Sequence, residues 1–167
     1  MEKNSINGVV ISNIMNDFEI IEKLKEYFDI REFVGKETYR KFGDTAWKFF
    51  NIRILHAALI VRENIDKPMT INNYKWGGSF SQRGLRTNVQ QIFRKYFAKK
   101  KLYLSAHVLA MGIDFDVKGM AAEDVRKWIE SHADLFPFKI RLEDGVNWVH
   151  MDVIQEQKNS KIYRFKV

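Results

Sequence analysis

A chain of 167 residues is about the size of one domain and long enough to bury a continuous core, so one unit spanning residues 1–167 is expected. Its 46% hydrophobic and 29% charged residues, with 13 Phe, 6 Tyr and 4 Trp, exclude a disordered chain, and the lack of cysteine excludes disulfides and thiolate metal ligands. The formal charge of +7 and pI near 9.5 attract anionic partners without choosing among nucleic acid, anionic membrane and acidic wall polymers.

The opening MEKNSINGVV lacks a basic region followed by a long apolar stretch, and the longest apolar run, Ala57 to Val61, is far too short to cross a bilayer. Neither an export signal nor membrane insertion is expected. Residues 1–15 read as an arm or first strand whose apolar content is Val9, Val10 and Ile11. From Asn16 the spacing puts Phe18, Ile21, Leu24 and Phe28 on one helical face, with Asn16 and Glu19 spaced as a capping box. The aromatic, glycine-broken text from Ile30 to Phe50 predicts short helical turns that bury Trp47, Phe49 and Phe50. NIRILHAALIVRENI then predicts a helix through Ile52, Leu55 and Leu59 that stops before Asp66, Lys67 and Pro68.

Downstream, MTINN is β-prone and KWGGSFSQRGLRTN is a Gly/Ser-rich loop carrying Trp76, Arg83 and Arg86. Val89, Ile92, Phe93, Tyr96 and Phe97 form another helical stripe, and LYLSAH reads as a strand. Residues Ile113 to Val117 alternate as a strand with Asp114 and Asp116 on one face, and MAAEDVRKWIESH packs Val125, Trp128 and Ile129 inward as a helix. FKIRL and NWVHMDV, separated by Glu143, Asp144 and Gly145, predict a hairpin, with IYRFKV as a last strand. Helices first and strands later predict an α+β domain with an antiparallel sheet flanked by helices.

With four histidines and no cysteine, a metal here must be held by imidazole and carboxylate. His107, Asp114 and His150 stand out, because in NWVHMDV the residues Trp148, His150 and Asp152 share the face opposite Val149, Met151 and Val153. Two His and one carboxylate would leave a fourth position open, as a catalytic zinc requires. His56 reads as a half-buried helix histidine and His132 as a helix-terminal one. The cations Arg94, Lys95 and Lys99 to Lys101 read as a solvated face able to meet an anionic polymer, and no nucleic-acid-binding motif is legible.

SAHVLAMGIDFDV resembles the Ser-x-His-x-x-Gly-x-Ala-x-Asp signature of the zinc metallopeptidases that include D-alanyl-D-alanine carboxypeptidases and phage L-alanyl-D-glutamate endolysins, and NWVHMDV resembles their Trp-[Val/Ile]-His-[Ile/Val]-Asp signature. The likeness covers about residues 70–155 and implies a fold also shared with hedgehog signalling domains. Ala110 and Gly112 exchange the family's two small residues. SFSQRGLRTN resembles the family's Ser-Gly-Tyr-Arg-Ser loop, and the segments YFDIREFVGKETYRKFGDTAWKFF and INNYKWGGSFSQRGLR resemble small phage and prophage proteins.

That resemblance implies one zinc ion on His107, Asp114 and His150, and a role for Arg86 in binding or polarising substrate, with Arg83 as second choice. Ser105 and Trp76 would add substrate contacts. The implied substrate is the stem peptide of peptidoglycan, met by a monomer that reaches the wall from a bacterial cytoplasm or virion, with no nucleic-acid partner. The family's general base often lies three residues before the last ligand, where this chain has Asn147, and an amide cannot shuttle protons. Asp144 is the first replacement and Glu143 the next, with Asp152 and Asp116 also conceivable. A non-catalytic zinc domain that binds wall material or builds part of a virion is the alternative.

Overall fold

The computed structural model describes residues 5–6, 9–10, 15–154 and 159–167. Within the predicted arm, β1 (Ser5–Ile6) pairs antiparallel with β2 (Val9–Val10), apart from the main sheet, and Ile11 lies outside the described residues.

Helix α1 (Asp17–Tyr27) starts at the expected capping box, in which the Asn16 side chain accepts from the Glu19 N–H and the Glu19 carboxylate accepts from the Asn16 N–H. Its buried seam differs from the predicted one. Ile20, Leu24 and Phe28, four residues apart, face inward, while Phe18 is 71% exposed and Ile21 only partly covered. Next come α2 (Ile30–Phe33), α3 (Lys36–Phe42) and a 3-10 stretch (Gly43–Phe49), the short turns expected of glycine-broken text. Trp47 and Phe50 are buried against Phe33, with ring centroids 5.0 and 5.6 Å away. Phe49, predicted to be buried, instead pairs edge-on with Phe42 at the surface.

α4 (Ile52–Ile65) is the central helix. Asn51 caps its start by accepting from the Arg53 N–H, and the left-handed Asp66 ends it ahead of Pro68. Burial of Ile54, Leu55, Ala57, Ala58, Leu59, Ile60 and Val61 covers most of its circumference, so packing rather than amphipathicity fixes it.

The five-stranded sheet runs in the order β3 (Met69–Thr70), β4 (Gly112–Val117), β6 (Val149–Asp152), β5 (Ile140–Glu143), β7 (Ile162–Phe165). The predicted hairpin is present as β5–β6, with Arg141 opposite Asp152. The sheet is mixed rather than antiparallel throughout, because β7 runs parallel to β5. Both flanks of β6 are taken by β4 and β5, and the chain leaving β6 returns along the outer side of β5, in the direction of β5 itself.

α5 (Gln91–Ala98) and α6 (Ala122–Ser131) complete the α+β domain. LYLSAH forms no strand. Leu102 and Leu104 are exposed, and Ser105 to Ala110 makes a helical turn in which the N–H groups of Val108 and Leu109 donate to the Ser105 carbonyl. Alternation alone mimics a strand there, but no strand of the sheet pairs with this segment.

The sheet is two-sided. Ile113, Phe115, Val117, Ile140, Leu142, Val149 and Met151 fill the core on one face. The alternate residues Asp114, Asp116, Arg141, Glu143, His150 and Asp152 share the other, and that face carries the site.

Candidate metal centre

Asp114 on β4 and His150 on β6 are direct cross-strand partners, which places their side chains side by side on the polar face. His107 reaches them from the turn before β4. Its Nε2 lies 3.2 Å from His150 Nδ1 and 3.2 Å from Asp114 Oδ1, and His150 Nδ1 lies 2.7 Å from Asp114 Oδ1. All three residues are buried, and together they form a group that can hold a metal ion. Zinc bound at about 2.0–2.1 Å to nitrogen and oxygen has tetrahedral edges of about 3.3 Å. Two of the three observed edges match this, and the third, at 2.7 Å, must open by about 0.6 Å.

The outer atoms of these side chains fix which inner atoms are free. His107 Nδ1 is 2.9 Å from the Gly84 carbonyl, which can only accept, so Nδ1 carries the hydrogen and Nε2 presents a lone pair. His150 Nε2 is 3.2 Å from Asp152 Oδ2, and Asp152 is fully buried and gripped by Arg141 at 2.8 and 2.9 Å. Nε2 of His150 is therefore the donor and Nδ1 faces the cluster. Asp114 Oδ2 takes a 3.1 Å hydrogen bond from Arg86, leaving Oδ1 inward. Three acceptors thus converge on one point, an arrangement that a metal ion or a shared proton can satisfy.

Without a metal, a proton supplies that charge. Burial works against a charged His150, but hydrogen bonds to Asp114 and Asp152 outweigh it and push its pKa up to about 9. Burial keeps His107 neutral by lowering its pKa against the pull of Asp114. Burial also opposes ionisation of Asp114, yet its contacts with the two imidazoles hold its pKa well below the carboxylate range. A divalent ion would displace the His150 proton and satisfy all three donors together.

A single loop orients the site. Gly84 passes so close to the end of α2 that an added Cβ would sit 1.9 Å from the Phe33 carbonyl oxygen, while the Leu85 N–H donates to that same oxygen at 2.8 Å. The buried Asn72 accepts from the Arg83 N–H at 2.9 Å, and the Asp114 N–H donates to the Arg83 carbonyl at 2.7 Å. These contacts aim the Gly84 carbonyl at His107 and the Arg86 side chain at Asp114. Gly112 contributes close packing beneath the centre, since a Cβ there would lie 2.7 Å from that of Ala106. Ala110, exchanged with it relative to the resembled signature, adopts the left-handed φ of 52° that usually favours glycine.

A cavity of about 480 Å³ opens over the cluster. Arg86, Ser105 and Glu143 line it together with the three ligand candidates, and so do Tyr103, Trp148 and Phe165. Arg86 also donates to the Gln82 carbonyl at 2.8 Å and to the Tyr103 hydroxyl at 2.7 Å, so it is a fixed clamp on Asp114 rather than a free arm. Ser105 Oγ is buried with no hydrogen-bond partner among the described residues. Arg83 pairs with Asp116 and stacks over Phe80, which occupies both Arg83 and that alternative base.

Asp144 points elsewhere, 3.3 Å from Arg164 and 3.9 Å from Lys166. Glu143 sits one step beyond the Arg141–Asp152 and Leu142–Met151 pairs, which brings it beside His150, and no ion pair or hydrogen bond engages its carboxylate among the described residues. Asp152 is committed to Arg141 and His150. Trp76 is 56% exposed under the Lys75 ammonium and is not among the cavity residues, whereas Trp148 is. His56 lies edge-on to Phe138 and His132 stacks on Trp128, both away from the cluster. Sequence spacing did not reveal the roles of Gly84, Asn72, Tyr103 and Arg141. The only trace of them is the glycine in SFSQRGLR and the alternation that sets Arg141 beside Asp152.

Among the described residues no fourth His, Asp or Glu joins the group. No protein-family model, curated protein or solved structure matches this chain, so the site is read from its own geometry.

Proposed function

We propose that this chain is a zinc-dependent peptidase that hydrolyses a peptide bond in the stem peptides of bacterial peptidoglycan, of the phage or prophage type. The observation that carries the reading is the convergence of His107 Nε2, Asp114 Oδ1 and His150 Nδ1 at the floor of a cavity with no fourth protein donor among the described residues. A structural zinc is normally closed by four protein ligands, whereas a hydrolytic one keeps a position open. Zinc bound there supplies Lewis acidity toward a carbonyl and toward water.

The chain's own residues divide the remaining work. Arg86 holds Asp114 in place and keeps positive charge at the cavity wall, where a substrate carboxylate or a developing oxyanion is stabilised. Glu143 is the proton acceptor that best fits, being a carboxylate in the cavity beside His150 and uncommitted to an ion pair. It takes a proton from the attacking water and returns it to the leaving amine. Trp148, Tyr103 and Phe165 give the peptide apolar walls and keep bulk water out.

One observation favours a non-catalytic metal domain instead: Asn147 stands where the resembled peptidases often carry their base, and it is exposed. Zinc-loaded protein incubated with peptidoglycan fragments separates the two readings. The peptidase yields new amino groups and smaller muropeptides by mass spectrometry. Glu143→Gln abolishes this with metal retained, and Asp144→Asn leaves it within a fewfold. A metal-bound protein that releases no product across a pH series supports the non-catalytic reading.

A further inference from the structure

Apart from Tyr103, the segment from Val89 to Leu104 takes no part in the proposed chemistry. None of the residues of α5 is buried. Phe93 and Tyr96 turn onto the Tyr103 ring, with centroids 5.3 and 4.5 Å away, but Phe97, Leu102 and Leu104 are 86%, 88% and 62% exposed. Large apolar side chains so close together in a short stretch mark a contact surface rather than scattered exposure.

The charge of the same segment is one-sided. From Lys67 to Ile113 the sequence holds no aspartate or glutamate, and Arg94, Lys95, Lys99, Lys100 and Lys101 all fall within or just after α5. No ion pair engages any of them among the described residues. The turn that ends α5 is fixed by the Lys100 N–H on the Phe97 carbonyl at 3.0 Å and the Lys101 N–H on the Tyr96 carbonyl at 3.1 Å. Lys100 adopts a φ of 50° there, a position that normally favours glycine.

We propose that this segment is a membrane-surface contact that docks on an anionic phospholipid bilayer. The lysines and Arg94 meet the headgroup phosphates while Phe97, Leu102 and Leu104 enter the headgroup–acyl boundary. No described helix is long and apolar enough to cross a membrane, so the contact lies in the interface plane. Nucleic acid would use the cations but leave the aliphatic Leu102 and Leu104 without a function. A second copy docked on the same patch would oppose like charges across the contact. Ile92, Tyr96, Tyr103 and Leu104 also line the cavity over the metal cluster, so the docked bilayer stands at the edge of the site. The inference is independent of the peptidase reading.

The test is co-sedimentation of the full chain with vesicles of phosphatidylcholine alone or with about a third phosphatidylglycerol. Each cation near an anionic leaflet multiplies partitioning roughly fivefold, so the anionic vesicles bind at least ten times better and added salt weakens them. Lys99→Glu with Lys101→Glu lowers that binding more than tenfold. Phe97→Ser with Leu102→Ser also lowers it severalfold without changing the unfolding temperature, because both sites are exposed. Equal binding to the two vesicle types overturns the proposal. So does full retention of anionic binding by the Phe97→Ser/Leu102→Ser variant together with tight DNA binding, which assigns the patch to nucleic acid. Self-association that this same variant abolishes, with no vesicle binding by the wild type, assigns it to a second copy.

Discussion

Gly84→Ala changes no ligand, yet it should unseat the metal. The new Cβ would lie 1.9 Å from the Phe33 carbonyl oxygen and 2.5 Å from its carbon, whereas ordinary contact begins at 3.4 Å. The loop must therefore retreat by about 1.5 Å, since backbone rather than a flexible side-chain tip is in the way. That movement stretches the 2.9 Å hydrogen bond from His107 Nδ1 to the Gly84 carbonyl past its useful range and releases the imidazole from its tautomer and orientation. Loss of such an outer contact lowers metal affinity about 10- to 100-fold, or about 1.4–2.7 kcal/mol. Overpacking should also cost about 1–3 kcal/mol of stability. Competition against a chromophoric chelator reads the affinity and chemical denaturation reads the stability. A folded Gly84→Ala protein that binds zinc as tightly as the wild type would refute the placement of His107 by this loop.

His150 makes the metal-free protein sensitive to pH. Its folded pKa of about 9 lies above the unfolded value near 6.5, so the stabilisation is complete below pH 6.5 and disappears as pH rises through 9. Denaturation in the presence of a chelator should show stability falling by about 3 kcal/mol across that window, and zinc-loaded protein should show little of this slope; parallel slopes would argue against exchange of a proton for the metal. Burial likewise pushes Glu32 up to about 7 while its side chain accepts from the Asp29 N–H. A raised carboxyl pKa costs stability as pH climbs from about 4.5 through 7, so Glu32→Gln, which keeps an acceptor for that N–H, should stabilise by about 1–3 kcal/mol at pH 8 and by little at pH 4. Asn72→Ala removes the acceptor of the Arg83 N–H and the anchor of the site loop, so zinc affinity should fall severalfold in the same chelator competition.

The sequence made the helices, the β5–β6 hairpin and the three metal-site residues legible because each is written in local periodicity or in a short motif. Alternation alone puts His150 on the polar face of its strand, opposite Val149 and Met151. The direction of β7 was not legible, because it follows from which flanks of β6 are already taken. Leu102 and Leu104 alternate as a strand would, yet no strand of the sheet pairs with them. Phe18 and Phe49 illustrate that a helical stripe does not by itself say which residue meets the core. Asp144 and Glu143 are adjacent in sequence, and the pleat together with Arg164 turns one toward an ion pair while the other lines the cavity.

Metal content tests the centre most directly. Protein dialysed against zinc and freed of excess should carry one equivalent by inductively coupled plasma mass spectrometry, and His107→Ala, Asp114→Ala and His150→Ala should each carry far less while remaining folded. A wild-type protein that retains no metal, or an Asp114→Ala variant that retains a full equivalent, would contradict the assignment of these three side chains to a metal.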